Sequence, residues 1–123
     1  AIIVTTPQAV AISDVQKEIT FCRRVNVPIA GLIENMMVSY ALVALFAQIS
    51  SIHLKPFVGN YNIFGEGGGR ALAEDEQVPF LGRLPIDPRL SALLDSGQSF
   101  ITKFNESASL QPLQDFVAKL RAK

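Results

Sequence analysis

Three short runs of apolar and β-branched residues, each closed by polar residues or proline, stand out along the chain. They occupy residues 1–5, 28–33 and 80–84. Runs of this length without polar alternation are typical of strands buried on both faces of a parallel sheet. The polar residues after each run are therefore expected at the carboxyl edge of the sheet, where open α/β folds bind ligands.

Helical patterns separate these runs. Thr6 is predicted to cap a first helix that has Pro7 at its first position and extends to residue 25. One face of this helix carries apolar residues at helical spacing: Val15, Ile19 and Cys22. Further helices are predicted over residues 70–77, 87–95 and 113–120. Strands that alternate with helices predict an α/β fold with a parallel sheet.

Composition and charge limit the classes of function that the chain can have. The 123 residues suffice for one domain or part of one, and eleven basic and eleven acidic side chains give a net charge of zero. A balanced charge disfavours a nucleic-acid-binding surface. The single cysteine, Cys22, excludes an internal disulfide and is interpreted as a small core residue in a reducing compartment. No signal peptide is visible ahead of the first strand. Since a domain rarely begins at the first residue of a buried strand, we expect the chain to begin inside a domain.

Four blocks of sequence carry a family resemblance. They read AIIVTTPQ at residues 1–8, GLIENM at 31–36, IFGEGGG at 63–69 and FLGRLPIDP at 80–88. Together they resemble the C-terminal half of the Mrp/NUBP family, P-loop ATPases that carry and transfer iron–sulfur clusters, and in particular its smaller eukaryotic subunit. The resemblance implies that residues 1–123 form the C-terminal half of a single P-loop NTPase domain, an incomplete parallel-sheet fold of the SIMIBI or MinD-like type.

The resemblance also implies a nucleotide contact. Asn35, after the second strand, would contact adenine, and Pro85 and Asp87 would form a rim around the base. The residues by themselves favour simpler interpretations, in which Asn35 binds local backbone and Pro-Ile-Asp-Pro is a turn whose Asp87 caps the next helix. The two interpretations are compatible, because a capped helix start would position the loop.

The cofactors of the family are ATP with Mg²⁺ and a bridging 4Fe-4S cluster, and we expect neither site to be complete in this chain. A Walker A loop needs Lys and then Ser or Thr after its glycines. Residues 65–69 are followed instead by Arg70 and Ala71, so the glycines are interpreted as a flexible hinge without a catalytic role. The resemblance places the P-loop and the Mg²⁺ ligand in the N-terminal half of the domain.

Residues 37–60 depart from the family pattern. The family places a Cys-Pro-x-Cys motif here, whereas this chain has an apolar insert without cysteine, uncharged over residues 36–54. Iron–sulfur clusters need thiolate ligands. Three interpretations stay open: a transmembrane helix of marginal length, a helix buried against a partner or the sheet, and translation of a retained intron. We favour the intron, because Val38 and Ser39 are what a consensus splice-donor site encodes when it is read through.

The resemblance implies an ATP-binding scaffold or carrier for iron–sulfur cluster assembly and transfer in the cytoplasm, inactive as this chain alone. The expected partners are a second copy in a homodimer, or a NUBP-type paralogue in a heterotetramer, and apo iron–sulfur proteins as clients. Neither nucleic acid nor a membrane is expected as a partner. Two alternatives belong to other classes: a truncated paralogue that acts as a non-enzymatic adaptor, and a fragment of a ParA/MinD-type partitioning ATPase.

Overall fold

Three parallel strands alternate with four helices over the residues that the structure describes. The structure is a computed structural model, and it describes residues 1–37, 67–99 and 107–122. In chain order the elements are β1 (Ile2–Thr5), α1 (Ala9–Arg24), β2 (Gly31–Met37), α2 (Gly68–Asp75), β3 (Phe80–Pro85), α3 (Pro88–Asp95) and α4 (Leu110–Arg121). The predicted alternation of strands and helices is confirmed.

The sheet has the order β1-β2-β3, and both strand pairs are parallel. In the first pair, Ile2 lies opposite Gly31 and Thr5 lies opposite Glu34. The central strand is buried on both faces at its start, as its apolar sequence predicts, since Gly31, Leu32, Ile33 and Glu34 are all buried. Because the strands are parallel, the loops that follow them leave from one edge of the sheet.

The pairing of β2 with β3 contains two irregularities that cancel. The paired residues are Leu32 with Phe80, Ile33 with Gly82, Glu34 with Arg83 and Met37 with Pro85. β3 therefore has one extra residue, Leu81, between the first two pairs, and β2 has one extra residue in the Asn35-Met36 stretch between the last two. Such bulges bend a strand and redirect its side chains. Here they leave both ends of the two strands aligned.

Two helices cover one face of the sheet, and α4 covers part of the other. The first core comprises Ile3, Val15, Ile19, Cys22, Leu32, Leu72 and Ala73. Cys22 is 8% exposed within it, which confirms its interpretation as a core residue. The second core comprises Ile33, Leu81 and Phe116, and Lys119 of α4 donates a hydrogen bond of 2.6 Å to the carbonyl oxygen of Leu81. The cation thereby binds main chain at the β3 bulge.

The start of α1 differs from the prediction. The helix begins at Ala9, and its N-cap is Gln8, in an extended conformation, instead of Thr6. The carbonyl oxygen of Pro7 lies so close to α2 that a Cβ atom added to Gly68 would meet it at 2.8 Å. A proline also disfavours helical backbone at the residue before it, here Thr6. Residues 6–8 therefore stay outside the helix, and Pro7 packs against α2.

The predicted bounds of β2 were also wrong at both ends. The strand begins at Gly31, after Pro28, and extends past Ile33 to Met37. Pro28 has no N–H group and cannot join a ladder as a donor. The extension through a buried glutamate is possible because the Glu34 carboxylate has partners inside the protein, as described below. The helix α2 begins and ends two residues earlier than predicted, at 68 instead of 70 and at 75 instead of 77.

Over the described residues, the structure contains no helix of the length and apolar character that a membrane crossing requires. Residues 38–60, and with them the interpretations of the apolar insert, lie outside the described part of the chain. Met37, its first residue, ends β2.

Replacement of Gly82 by alanine is expected to destabilise the fold by about 1–3 kcal/mol. Gly82 has φ = +147°, and an added Cβ atom would lie 2.6 Å from Cε1 of Phe116. The measurement is the urea midpoint of unfolding. Gly97→Ala is the matched control, because Gly97 also has positive φ, +67°, but a Cβ atom added to it would have no described atom within 4 Å. Equal losses for both variants would contradict the packing argument.

Candidate functional site

The carboxyl edge of the sheet brings together the polar blocks that follow the strands. Residues 6–8 follow β1, the Asn35-Met36 bulge ends β2, and residues 86–87 follow β3. The Ile86 N–H donates a hydrogen bond of 2.9 Å to the carbonyl oxygen of Met37, which joins the second and third of these segments. Ligands of open α/β sheets bind at this edge. The candidate site is therefore built on it.

Asn35 lies inside the bulge of β2, not past the end of the strand as predicted. Its Oδ1 accepts a hydrogen bond of 2.8 Å from the N–H of Met36, whose φ is +63°. The interpretation of Asn35 as a local backbone cap is therefore confirmed. A carboxamide oxygen has two lone pairs and the amide nitrogen has two donors. The local bond uses one lone pair and leaves the group able to make further hydrogen bonds.

Pro85 and Asp87 are both buried, and a pair of serines before α4 holds them. The Ser109 hydroxyl, fully buried, donates to the Pro85 carbonyl oxygen at 3.2 Å. The Ser107 hydroxyl donates to Oδ2 of Asp87 at 2.5 Å and accepts the Ser109 N–H at 3.1 Å. Asp87 directly precedes Pro88, the first residue of α3. This is the position that was predicted for a residue capping the helix. The network fixes the loop between β3 and α3 against the start of α4.

Glu34 is the buried charge that sequence reasoning did not assign to any role. It is 1% exposed, and its Oε2 accepts a hydrogen bond of 2.6 Å from the N–H of Gly69, the second residue of α2. Its Oε1 lies 2.9 Å from Nε of Arg83 in an ion pair, although that N–H is not aligned for a hydrogen bond. A carboxylate at a helix N-terminus is favoured by the helix dipole.

A signal for Glu34 was present in the sequence. It is the only charged residue in the apolar stretch of β2, and charged residues are almost never fully buried unless paired. What the sequence does not show is the partner, because Gly69 and Arg83 come from elements far along the chain. The buried pair emerges only when the sheet register and the position of α2 are known.

Gly68 and Gly69, at the start of α2, are packed, so the hinge interpretation does not describe them. Residues 65–66 of the predicted hinge lie outside the described part of the chain. A Cβ atom at Gly68 would lie 2.8 Å from the Pro7 carbonyl oxygen, and one at Gly69 would lie 2.8 Å from Oε2 of Glu34. The absence of side chains lets α2 approach β1 and β2 closely. At the N-terminus of α2, the position an external anion would take is filled by the Glu34 carboxylate, which accepts the Gly69 N–H.

A known protein family matches the chain from its first strand to its last helix. The family model described as "ParA: NUBPL iron-transfer P-loop NTPase" matches residues 1–121. The chain belongs to this family. The predicted resemblance to the Mrp/NUBP proteins is thereby confirmed, over almost the whole of the chain.

Curated relatives agree with the family model. The chain is 42% identical over 121 residues to a cytosolic Fe-S cluster assembly factor NUBP2 homolog from Trichoplax adhaerens, covering 98% of the chain and 40% of the relative. It is 44% identical over 118 residues to the Dictyostelium discoideum NUBP2 homolog, covering 95% and 39%. For NUBP2 of Bos taurus the identity is 39% over 120 residues, with 98% and 40% covered. The chain thus spans well under half the length of these relatives.

Solved structures support the fold. MinD from Aquifex aeolicus matches with a TM-score of 0.66 and 15% identity, over 100% of this chain and 44% of that chain. The MinC:MinD complex of the same organism matches with a TM-score of 0.68 and 15% identity, over 100% and 42%. At this identity the likeness shows the fold alone. The predicted MinD-like architecture, incomplete in this chain, is confirmed.

Within residues 1–37, 67–99 and 107–122, no cluster of three or more His, Cys, Asp or Glu side chains is arranged to hold a metal ion. The edge of the sheet offers instead a carboxamide in a bulge, a proline and a serine-bound aspartate. These groups suit recognition of a polar planar ligand by hydrogen bonds and packing.

Replacement of Ser107 by alanine is expected to lower the free energy of unfolding by about 1–3 kcal/mol, because it leaves the buried Asp87 carboxylate and the Ser109 N–H with one partner fewer. The measurement is chemical denaturation. Ser13→Ala on the exposed face of α1 is the control and should change stability by about 0.5 kcal/mol or less. A Ser107 variant as stable as the control would show that the network does not hold the loop.

Proposed function

We propose that this chain supplies the adenine-facing part of the ATP site in a cytosolic iron–sulfur cluster assembly ATPase of the NUBP2 kind. The family membership and the names of the relatives support the assembly role. The observation that carries the nucleotide role is the position of Asn35, in a bulge beside the Pro85 loop at the carboxyl edge of the sheet. ATP would occupy that edge with its base toward this chain.

The hydrogen-bonding capacity of Asn35 suits an adenine edge. Adenine presents an amino group beside a ring nitrogen acceptor, and an amide that both donates and accepts can pair with both. The bond from Met36 to Oδ1 holds the amide in one orientation before the base arrives. A preorganised amide loses less conformational freedom on binding than a mobile side chain. The local cap and the base contact are then two functions of one side chain.

Pro85 and Asp87 contribute in different ways. Pro85 ends β3 opposite Met37, beside the strand segment that carries Asn35. It is buried, so it would support the rim around the base from inside the protein and would not offer its ring as the packing surface. The Asp87 carboxylate is bound to Ser107 and acts by fixing the loop. Main-chain groups of the loop then meet the base.

ATP supplies the phosphoryl chemistry of the family, and Mg²⁺ accompanies its phosphates. Of the parts of ATP, the described residues of this chain would contact only the adenine base. The P-loop glycines, the lysine and the Mg²⁺ ligand of the family would come from a part of the protein that this chain does not span. In that arrangement Asn35 and the Pro85 loop orient the nucleotide while other residues act on its phosphates.

The iron–sulfur cluster is cargo in this proposal, and this chain does not suit its ligation. Cluster binding requires thiolates, and the one cysteine of the sequence, Cys22, is buried in the last turn of α1. We infer that cluster binding would need cysteines from elsewhere in a longer protein or from a partner. The partners we propose are a second copy or a NUBP-type paralogue, with apo iron–sulfur proteins in the cytoplasm as clients.

The two alternatives remain predictions. An adaptor would dock on a full-length relative and bind no nucleotide, and a partitioning ATPase would use the same fold for another purpose. The identities of 39–44% to NUBP2 proteins favour the assembly role over the partitioning role, since the MinD likeness is one of fold at 15% identity. Nucleotide binding distinguishes the assembly role from the adaptor.

The nucleotide role is tested in a chimaera, in which the part of the Trichoplax adhaerens relative that precedes the matched region is joined ahead of Ala1. The chimaera is expected to bind ATP, and Asn35→Ala is expected to weaken binding by about 1–3 kcal/mol because base-edge groups lose their partner. The measurement is titration calorimetry. This chain alone is expected to hydrolyse no ATP.

Gln114→Ala is the matched control, since it removes a carboxamide from the exposed surface of α4, and it should leave ATP affinity unchanged. A folded chimaera that binds ATP equally well with and without the Asn35 amide would contradict the adenine contact. A chimaera that is folded and binds no ATP would favour the adaptor.

Reconstitution tests the cluster assignment. Incubation of this chain with iron and sulfide under anaerobic conditions is expected to give no stable cluster, because only the buried Cys22 thiol is present. The measurement is the visible absorption and bound iron after gel filtration. Cys22→Ser is the control and should behave as the unmodified chain does. Stable cluster absorption that Cys22→Ser abolishes would contradict the interpretation of Cys22 as a core residue without a ligand role.

A further inference from the structure

We propose that Glu34 is a positioning residue for base recognition: its buried carboxylate fixes the β2–β3 register from which the Asn35 amide is presented. The inference rests on the proposed function, because it concerns the same adenine contact. Glu34 itself would touch no nucleotide. It would act through the main chain of the next residue and through Arg83.

The bulge that carries Asn35 lies between two regular pairs of β2 and β3 residues. Glu34 and Arg83 form the last regular pair before the extra residue of β2, and Met37 and Pro85 form the first pair after it. After the bulge, the Ile86–Met37 hydrogen bond joins the two strands. Before the bulge, the Glu34–Arg83 ion pair joins them, with 2.9 Å between Oε1 and Nε, and we call this pair the near clamp. Asn35 and Met36 are therefore fixed between two contacts that join β2 to the chain of β3.

Loss of the near clamp, the Glu34–Arg83 ion pair, would free the register of β2 against β3. Successive residues of a strand face opposite sides of the sheet, so a slip of one residue moves each side chain to the other face. The bulge of β2 can move to a position ahead of Glu34 only if the Glu34–Arg83 pairing is lost. A slip in that direction would turn the Asn35 amide away from the edge where it meets a base.

Glu34 also binds the start of α2. The second oxygen of Glu34 is bound by the Gly69 N–H at 2.6 Å, and Gly69 has no side chain to hold the two apart. The same helix start touches Pro7, from the segment after β1. One carboxylate thus connects β2, β3 and α2 at the edge that carries the site. A change at Glu34 reaches all of these elements.

The energy of the Glu34–Arg83 pair also indicates a role beyond stability. A buried ion pair is often no more stabilising than well-packed apolar side chains of the same volume, because both ions lose their hydration. Leu32, two residues earlier on the same face of β2, shows that aliphatic packing serves the core there. The bond from the Gly69 N–H accounts for a carboxylate that faces α2. The ion pair with Arg83 is a separate contact, and it gives the charge a second role in fixing the register, since this register places the two charges side by side.

The test uses the chimaera and the ratio of its dissociation constants for GTP and ATP. Glu34→Gln keeps an oxygen for the Gly69 N–H and removes the charge that pairs with Arg83. It is expected to lower the GTP/ATP ratio by about tenfold, equivalent to about 1.4 kcal/mol, as the oriented base contact is lost. Arg83→Met, which keeps the aliphatic stem, should lower the ratio similarly. Because both act on one clamp, the double variant should be no worse than either single one.

Glu74→Gln is the matched control, since it neutralises an exposed glutamate of α2, and it should leave the ratio unchanged. A purely structural role predicts a lower melting temperature with equal weakening for ATP and GTP. An unchanged ratio in Glu34→Gln and Arg83→Met, with Asn35→Ala still lowering it, would overturn this inference and leave the proposed function intact. If Asn35→Ala also leaves the ratio unchanged, the adenine contact itself is wrong. Should Glu34→Gln fail to fold, Arg83→Met decides, because Arg83 is 33% exposed and lies at the rim of the core.

Discussion

The buried carboxylate of Glu34 is the interaction on which the arrangement of this structure depends. It meets the positive end of α2 through Gly69 and the guanidinium of Arg83 on the neighbouring strand. An unpaired charge at 1% exposure would be costly, so the carboxylate requires both partners to be in place. The sheet register, the close approach of α2 and the shape of the carboxyl edge are consequently interdependent.

The sequence was sufficient for the class of fold and insufficient for the details of the edge. Apolar runs with polar endings predicted all three described strands and their parallel arrangement, because burial on both faces leaves a strong local pattern. The start of α1 was misplaced because the signal at Thr6 and Pro7 is local, whereas Pro7 is held outside the helix by contact with Gly68, from a distant part of the chain. Local propensity is overridden by such packing.

The candidate site shows the same division. Asn35, Pro85 and Asp87 were identifiable as residues near strand ends, and the resemblance supplied the reason to select them. The Asn35-Met36 bulge was not predictable, because a bulge is defined by the residues opposite it on β3. The serines that bind Asp87 and the Pro85 carbonyl lie twenty or more positions away, so no short motif contains the network.

The two bulges between β2 and β3 have a consequence for how this sequence can change. Each adds one residue to one strand, so that two residues lie opposite one on the partner strand. Deleting one residue of the Asn35-Met36 stretch would leave the pairs on both sides in register and make the strand regular at that point. The deletion would also remove the local bond from the Met36 N–H that orients the Asn35 amide. A one-residue deletion here is therefore expected to preserve the sheet and abolish the oriented amide, so that the ladder and the candidate site can change separately.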